Sequence, residues 1–363
     1  MAAVGPTLPG LATHTRTTLS AISLVFTARS LGYLLGSFEG GRLYDRIPGH
    51  PLMAVALILM AAMLAFVPLL PTLWILIVVL LVLGLAEGIV DVGGNTLLLW
   101  VHRRNAAPFM NGLHFAFGVG AFVAPMVVAG ALSLTGDATR SYWVFALLAL
   151  PVAGWLIRLP SPISQAASED GPARRADPWL VALVALFFFL YVGIESSYGG
   201  WIFSYATALK LGTQTTAAYL TSAFWGSLTA GRLLAIPLAV RVRPRVILLA
   251  DLVGCLVSIG LLLSFPSSAA ALWIGTLALG FCLASIVPTT LAFVGRHMGV
   301  TGKATGWFFV GIGLGAMTIP WLIGQLFERI GPRVMMWTLL ADLILAFGLF
   351  FLLRTYTTRP DRR

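Results

Sequence analysis

From about residue 18 to residue 354 the chain alternates between apolar runs of some twenty residues or more and short breaks where proline, glycine and charged residues gather. A helix rises ~1.5 Å per residue, so about twenty apolar residues match the ~30 Å hydrocarbon core of a bilayer. The runs lack strict apolar/polar alternation, which argues against the strands of a membrane β-barrel. The pattern predicts eleven full spans, at 18–42, 51–70, 72–101, 106–134, 140–158, 178–207, 214–239, 245–265, 268–294, 303–327 and 332–354. Ahead of them, "MAAVGPTLPGLA" is too short to span and lacks the basic n-region of a signal peptide; it reads as the tail of a twelfth helix whose start is missing.

Composition agrees with this all-α, polytopic membrane class: 59% of residues are hydrophobic and 10% charged, with a mean hydropathy of +0.94. A net charge of +10 raises the question of nucleic acid, but the basic residues follow the loops. With the loop at 102–105 placed inside, sixteen of the 23 Lys and Arg fall on that side and five on the other. That asymmetry is the positive-inside pattern, so the expectation is a multi-pass protein of the plasma membrane, such as a bacterial inner membrane, with a cytoplasmic C-terminus and no nucleic-acid partner. Cys255 and Cys282 both lie in apolar spans, which leaves no support for a disulfide or metal–thiolate site.

The polar stretch 159–177, "LPSPISQAASEDGPARRAD", reads as a cytoplasmic linker between an N-terminal bundle at 1–158 and a C-terminal bundle at 178–363. Two phrases recur across it. "GSFEGGRL" at 36–43 returns as "GSLTAGRL" at 226–233, and "GVGAFVAPMVVAG" at 118–130 returns as "GLGAMTIPWLIG" at 313–324. Both offsets are close to half the chain, as expected for two parallel six-helix halves. The first phrase carries a small-residue ridge, Ala28, Gly32, Gly36 and Gly40, that invites close approach of another helix; Gly226 with Ala230 offers a shorter version.

Duplicated six-helix halves joined by a cytoplasmic linker resemble the major facilitator superfamily. The segment "GGRLYDRIPGH" at 40–50 is similar to that superfamily's signature loop, with Gly41, Arg42, Asp45, Arg46 and Gly49 in matching places. The resemblance implies a secondary transporter whose halves move by alternating access.

A charge at the centre of a membrane helix costs about 2.5–3.5 kcal/mol, so embedded polar groups mark the chemistry. They are Arg29, Glu39, Glu87, Asp91, Asn95, Asn111, His114, Glu195, Asp251 and Asp342. Glu87, Asp91 and Asn95 follow at i, i+4, i+8 on one helix face. Counted from the cytoplasmic end, Asp91 lies about 16 Å deep and His114, on the next helix, about 12 Å deep, so the two are expected to meet. Carboxylates so placed suit H⁺ or Na⁺ coupling, which assigns Glu87 and Asp91 to the ion; the rival reading makes the row a set of helix–helix ties. In "LYVGIESSYGGWIFSY", 190–205, Tyr191, Glu195 and Tyr198 share a face, and Gly199-Gly200 are expected to unwind the helix before Trp201. Carboxylate, amide and aromatic groups suit a hydroxyl-rich ligand such as a sugar; the rival reading puts Trp201 in the interfacial belt and Glu195 in a helix tie. Asp251 and Asp342 have no obvious polar companion and read as structural, whereas Arg29 is placed to pair with a carboxylate or a ligand oxygen.

These segments resemble the branch of the superfamily that holds the fucose permeases and the sodium-dependent glucose transporters. Asp91 and Asn95 match the acid and the asparagine of that branch's fourth helix, and Asn111 an asparagine of its fifth; His114 stands where the fucose permeases have glutamine. The resemblance implies uptake of a hexose-like sugar with H⁺ or Na⁺. The expected cavity is lined by Asn95, Asn111 and His114 on one side and Glu195, Tyr198 and Trp201 on the other. Arg42, Asp45, Arg46 and Arg232 are expected at the cytoplasmic surface as gating residues. No H-E-x-x-H, G-x-S-x-G or Walker loop occurs, so neither an enzyme nor an ATP-driven pump is expected, and no cofactor beyond the coupling ion. A monomer is expected. An exporter of drugs or metabolites and a non-transporting sensor remain as alternatives on the same fold.

Overall fold

The computed structural model describes residues 2–162, 177–295 and 302–357. Most of the expected linker, 163–176, lies outside the described residues, as do Arg174, Arg175, Arg296, Arg359, Arg362 and Arg363. The described chain is helical, with no strand among its residues. In chain order the helices are α1 (Val4–His14), α2 (Leu19–Ile22), α3 (Leu24–Tyr44), α4 (Gly49–Phe66), α5 (Leu73–His102), α6 (Ala106–Thr135), α7 (Ser141–Leu156), α8 (Pro178–Ala208), α9 (Gln214–Arg241), α10 (Pro244–Ser264), α11 (Ala269–Leu283), α12 (Ile286–Gly295), α13 (Gly302–Ile330) and α14 (Val334–Thr357).

Local chemistry marks the ends. Thr213 and Ser268 cap α9 and α11 by accepting from Thr216 N and Ala271 N, and Asp177 accepts from Trp179 N ahead of Pro178 at the start of α8. Gly136 closes α6 with φ at 73°, the left-handed geometry that glycine enters without a Cβ clash.

Ten helical stretches among the described residues are long and apolar enough to cross a membrane, one fewer than the sequence pattern predicts. The difference is α7. A 3₁₀ turn at Ala138–Arg140 takes up the start of the expected span, leaving a helix of 16 residues. Its length is about 24 Å, short of the hydrocarbon core. The expected span at 268–294 is broken: α11 stops at Leu283 and α12 starts at Ile286.

The chain divides into two compact units. The first comprises Thr7–Gly120 and Val127–Asp170, the second Met1–Pro6, Ala121–Met126 and Gly171–Arg363. Within the first, α3 packs on α5, α4 on α5, and α4 on α7. Within the second, α9 packs on α11, α10 on α11, and α10 on α14. In a twelve-helix numbering these are the same three pairings made twice, the duplication that the repeated phrases imply.

Glycine sets the closest of these contacts. A Cβ on Gly32 or Gly36 would sit 2.0 or 1.9 Å from the Leu81 or Leu85 carbonyl oxygen of α5, and one on Gly84 or Gly88 would meet the Arg29 or Tyr33 carbonyl of α3 at 2.0 or 2.3 Å. The expected ridge therefore meets a second glycine row, Gly84 and Gly88, and the two backbones touch. In the second copy the contact runs through different residues from those expected. Ala230 is exposed, and it is Gly231 that meets Phe281 of α11 and Ala284 just past its end, while Gly280 meets Phe224 and Ser227 of α9. On α13, Gly311 and Gly315 press in the same way against the Ala185 and Phe189 carbonyls of α8.

Candidate functional site

Close packing of α3 on α5 brings two polar rows face to face. Arg29 and Tyr33 stand one turn apart on α3; Glu87 and Asp91 stand one turn apart on α5. Arg29 Nη2 approaches both carboxylate oxygens of Glu87 at 2.7 Å, with side chains 11% and 20% exposed. The Tyr33 hydroxyl donates to Asp91 Oδ2 at 2.5 Å. Below them Asn95 turns back along its own helix and donates to the Asp91 carbonyl at 2.8 Å. The carboxylate nearest Arg29 is thus neutralised by an ion pair, whereas Asp91 has a single neutral donor from α3 and is otherwise exposed.

Exposure has a specific meaning at this depth. An open carboxylate about 16 Å from the His102 end of α5 cannot face lipid at the cost given above, so the open side of Asp91 belongs to water or to a ligand. Asn111 and His114 are exposed on α6, and among the described residues neither makes a hydrogen bond. The expected meeting of His114 with Asp91 is not made: Tyr33, absent from the expected set, holds the acid.

In the second unit, Tyr191 and Glu195 share one face of α8 as expected, and the Tyr191 hydroxyl bonds to Glu195 Oε2. The same hydroxyl reaches the Leu283 carbonyl at 3.1 Å. Arg232, on α9, is half-buried.

Three other expectations for α8 are corrected. Gly199 and Gly200 do not unwind the helix, which runs unbroken from Pro178 to Ala208. They serve close packing: a Cβ on Gly5 would fall 2.6 and 2.8 Å from their carbonyl oxygens, and one on Gly199 would strike the Trp225 ring. Tyr198 and Trp201 are fully buried core ties. Tyr198 shares a 2.7 Å hydrogen bond with Thr276, and Trp201 Nε1 donates to the Pro320 carbonyl at 2.9 Å while its ring lies on Phe327. With their polar atoms spent inside the unit, neither is available to a ligand. Asp251 has a companion after all, the Ser285 hydroxyl, which donates to Oδ2. Asp342, 5% exposed, leaves Oδ2 without a hydrogen-bond partner among the described residues.

The signature-like segment is anchored from below and open above. Tyr44 is buried and donates to the Ile89 carbonyl at 3.0 Å, a Cβ on Gly49 would strike Leu97, and the His50 backbone N–H donates to Ser161 Oγ at 2.7 Å. Arg42 pairs with Glu39 at 2.8 Å and covers the Phe38 ring. Gly41, Asp45 and Arg46 are exposed.

Residues 1–320 match the model of the Major Facilitator Superfamily. The chain belongs to this superfamily. Superfamily relatives include a protein named sodium-dependent glucose transporter 1 from Xenopus laevis, 34% identical, with 96% of this chain and 78% of that protein aligned. The sodium-dependent glucose transporter 1A of Mus musculus is 32% identical over 100% of this chain and 95% of its own length. A protein named major facilitator superfamily domain-containing protein 4A, from Danio rerio, is 27% identical over 91% of this chain and 80% of its own length. Among solved structures, a bacterial homolog of the human lysosomal transporter Spinster superposes with a TM-score of 0.77 over 100% of this chain and 95% of the other, at 14% identity. The nucleoside transporter NupG gives 0.74 over 99% and 95%, also at 14%. At such identities the structures support the superfamily fold alone. The chain is a multi-pass membrane transporter of this superfamily, a non-enzyme class.

Proposed function

We propose that this transporter takes up a hexose-like sugar by alternating access, driven by H⁺ or Na⁺ bound at Asp91. The observation that carries the reading is the state of the two α5 acids. Glu87 is held by Arg29, so its charge is balanced within the protein. Asp91 is open, held by neutral donors alone, the Tyr33 hydroxyl on Oδ2 and a long bond from Asn95 Nδ2 on Oδ1, and is left to bind and release a cation. Asn95, with the exposed Asn111 and His114, supplies amide and imidazole groups of the kind that recognise sugar hydroxyls. The names of relatives at 32–34% identity over nearly the whole chain point to the same substrate class. On this reading Gly41, Arg42, Asp45 and Arg46 govern the rate of interconversion and not binding. The protein sits in the plasma membrane as a monomer with its C-terminus inside, and it needs no cofactor beyond the coupling ion.

The test is a thermal-shift screen of purified protein against hexoses, pentoses, nucleosides and amino acids, in sodium and in sodium-free buffer. Stabilisation by a hexose, lost in Asn111→Ala, is the expected result. Stabilisation by nucleosides or amino acids alone would overturn the substrate class, and an unchanged hexose shift in Asn111→Ala would overturn the placing of the site.

A further inference from the structure

The Tyr191 hydroxyl has one proton and two hydrogen-bond partners. Glu195 Oε2 lies four residues along α8, and the Leu283 carbonyl is the last of α11. A carbonyl and an ionised carboxylate only accept. With Glu195 ionised, the phenol proton goes to the carboxylate, because bonds to a charged acceptor are the stronger. The Leu283 carbonyl then faces an oxygen with no proton to offer, at a helix end where it lacks a continuing ladder. With Glu195 protonated, the carboxyl donates to the Tyr191 oxygen and the phenol proton is free for Leu283. Only this second arrangement gives both Glu195 and the Leu283 carbonyl a hydrogen bond through the phenol.

We infer that Glu195 is a proton-binding site of the second unit and that Tyr191 transmits its protonation to the break between α11 and α12. The break is pinned on its other side by Asp251 of α10, which holds Ser285 two residues after Leu283. Protonation therefore decides whether the segment is held from both sides or from one.

Other charges do not supply the same switch. Of the helices packed on α8, α9 brings Arg232, whose guanidinium stays charged across the pH range. α12 brings no acid or base among its described residues. α13 presents Gly311, Gly315 and Ile319 to it, and α1 presents Gly5. α14 brings Asp342, which meets α8 at Gly193, two residues and about 200° around the helix from both Tyr191 and Glu195. The inference rests on the proposed ion coupling for its purpose but on geometry for its existence, and its test needs no sugar.

The experiment is hydrogen–deuterium exchange of the peptide covering 283–290 in the intact protein, in detergent or nanodiscs, from acid to alkaline pH and corrected for intrinsic exchange. Wild type is expected to exchange about fivefold more slowly at low pH than at high pH, the worth of one hydrogen bond. Glu195→Gln, whose amide donates as the protonated acid does, is expected to stay slow at every pH. Tyr191→Phe is expected to stay fast at every pH. No pH dependence in wild type, or the wild-type dependence persisting in Tyr191→Phe or in Glu195→Gln, overturns the inference; melting temperatures show that each variant is folded. A protein that fails to bind sugar yet shows this pattern would sink the proposed substrate and leave the proton site standing.

Discussion

The Arg29–Glu87 pair gives the account its sharpest quantitative test. At 2.7 Å and an effective dielectric constant of about 20, the attraction is about 6 kcal/mol. Both ions are largely buried, 11% and 20% exposed, and withdrawing them from water costs several kcal/mol each, so the pair as a whole adds little net stability. Removing one partner is another matter, because the survivor keeps its desolvation cost and loses the attraction. Arg29→Met and Glu87→Leu are each expected to destabilise the protein by about 3–5 kcal/mol, and the double substitution to fall within about 1 kcal/mol of wild type. Chemical denaturation of the four proteins in one detergent, followed by tryptophan fluorescence, completes the cycle. A double variant that loses the sum of the two single effects would refute the pairing, and with it the argument that Glu87 is held out of ion coupling. In proteoliposomes the same double variant should keep gradient-driven uptake.

Other outcomes follow from the same geometry. Gly36→Ala places a methyl 1.9 Å from the Leu85 carbonyl and should cost about 1–3 kcal/mol or more, whereas Gly41→Ala, with open space around it, should melt with wild type. Asp91→Asn should abolish uptake against a gradient while equilibrium exchange of labelled sugar survives; loss of both, with sugar binding intact, would make Asp91 something other than the coupling site. Asp45→Ala should slow transport several-fold without changing sugar affinity in a binding titration, and equal loss of both would show that the loop does more than gate. Tyr33→Phe removes the one side-chain hydroxyl that donates to Asp91, and should weaken accumulation of sugar under a gradient several-fold; unchanged accumulation would detach Tyr33 from coupling.

Much of this was legible along the chain because a bilayer makes helices and charges stand out. The Glu87–Asp91–Asn95 row, the duplicated phrases and the ridge on α3 all follow from spacing alone. Their partners did not, since Arg29 and Glu87 are 58 residues apart and only the register of the helix pair brings them together. That register had a signal in Gly84 and Gly88, a second pair of glycines four residues apart. Gly199-Gly200 was misread because glycine permits unwinding and close approach alike, and neighbours outside the segment decide which. The real interruption, after Leu283, also had a signal. Pro288, in the first turn of α12, has no N–H to return to the Ala284 carbonyl. Tyr198 and Trp201 looked like ligand groups because a tyrosine hydroxyl and an indole N–H serve a buried core tie as well as a sugar.

The central claim, sugar uptake coupled to a cation at Asp91, is tested most directly by uptake of labelled glucose into proteoliposomes under an imposed inward gradient of Na⁺ or of H⁺. The account predicts accumulation above the equilibrium level under one of the two gradients, collapsing when an ionophore dissipates it and absent in Asp91→Asn. Vesicles that never exceed empty controls under either gradient, or an Asp91→Asn protein that accumulates sugar as well as wild type, would contradict it.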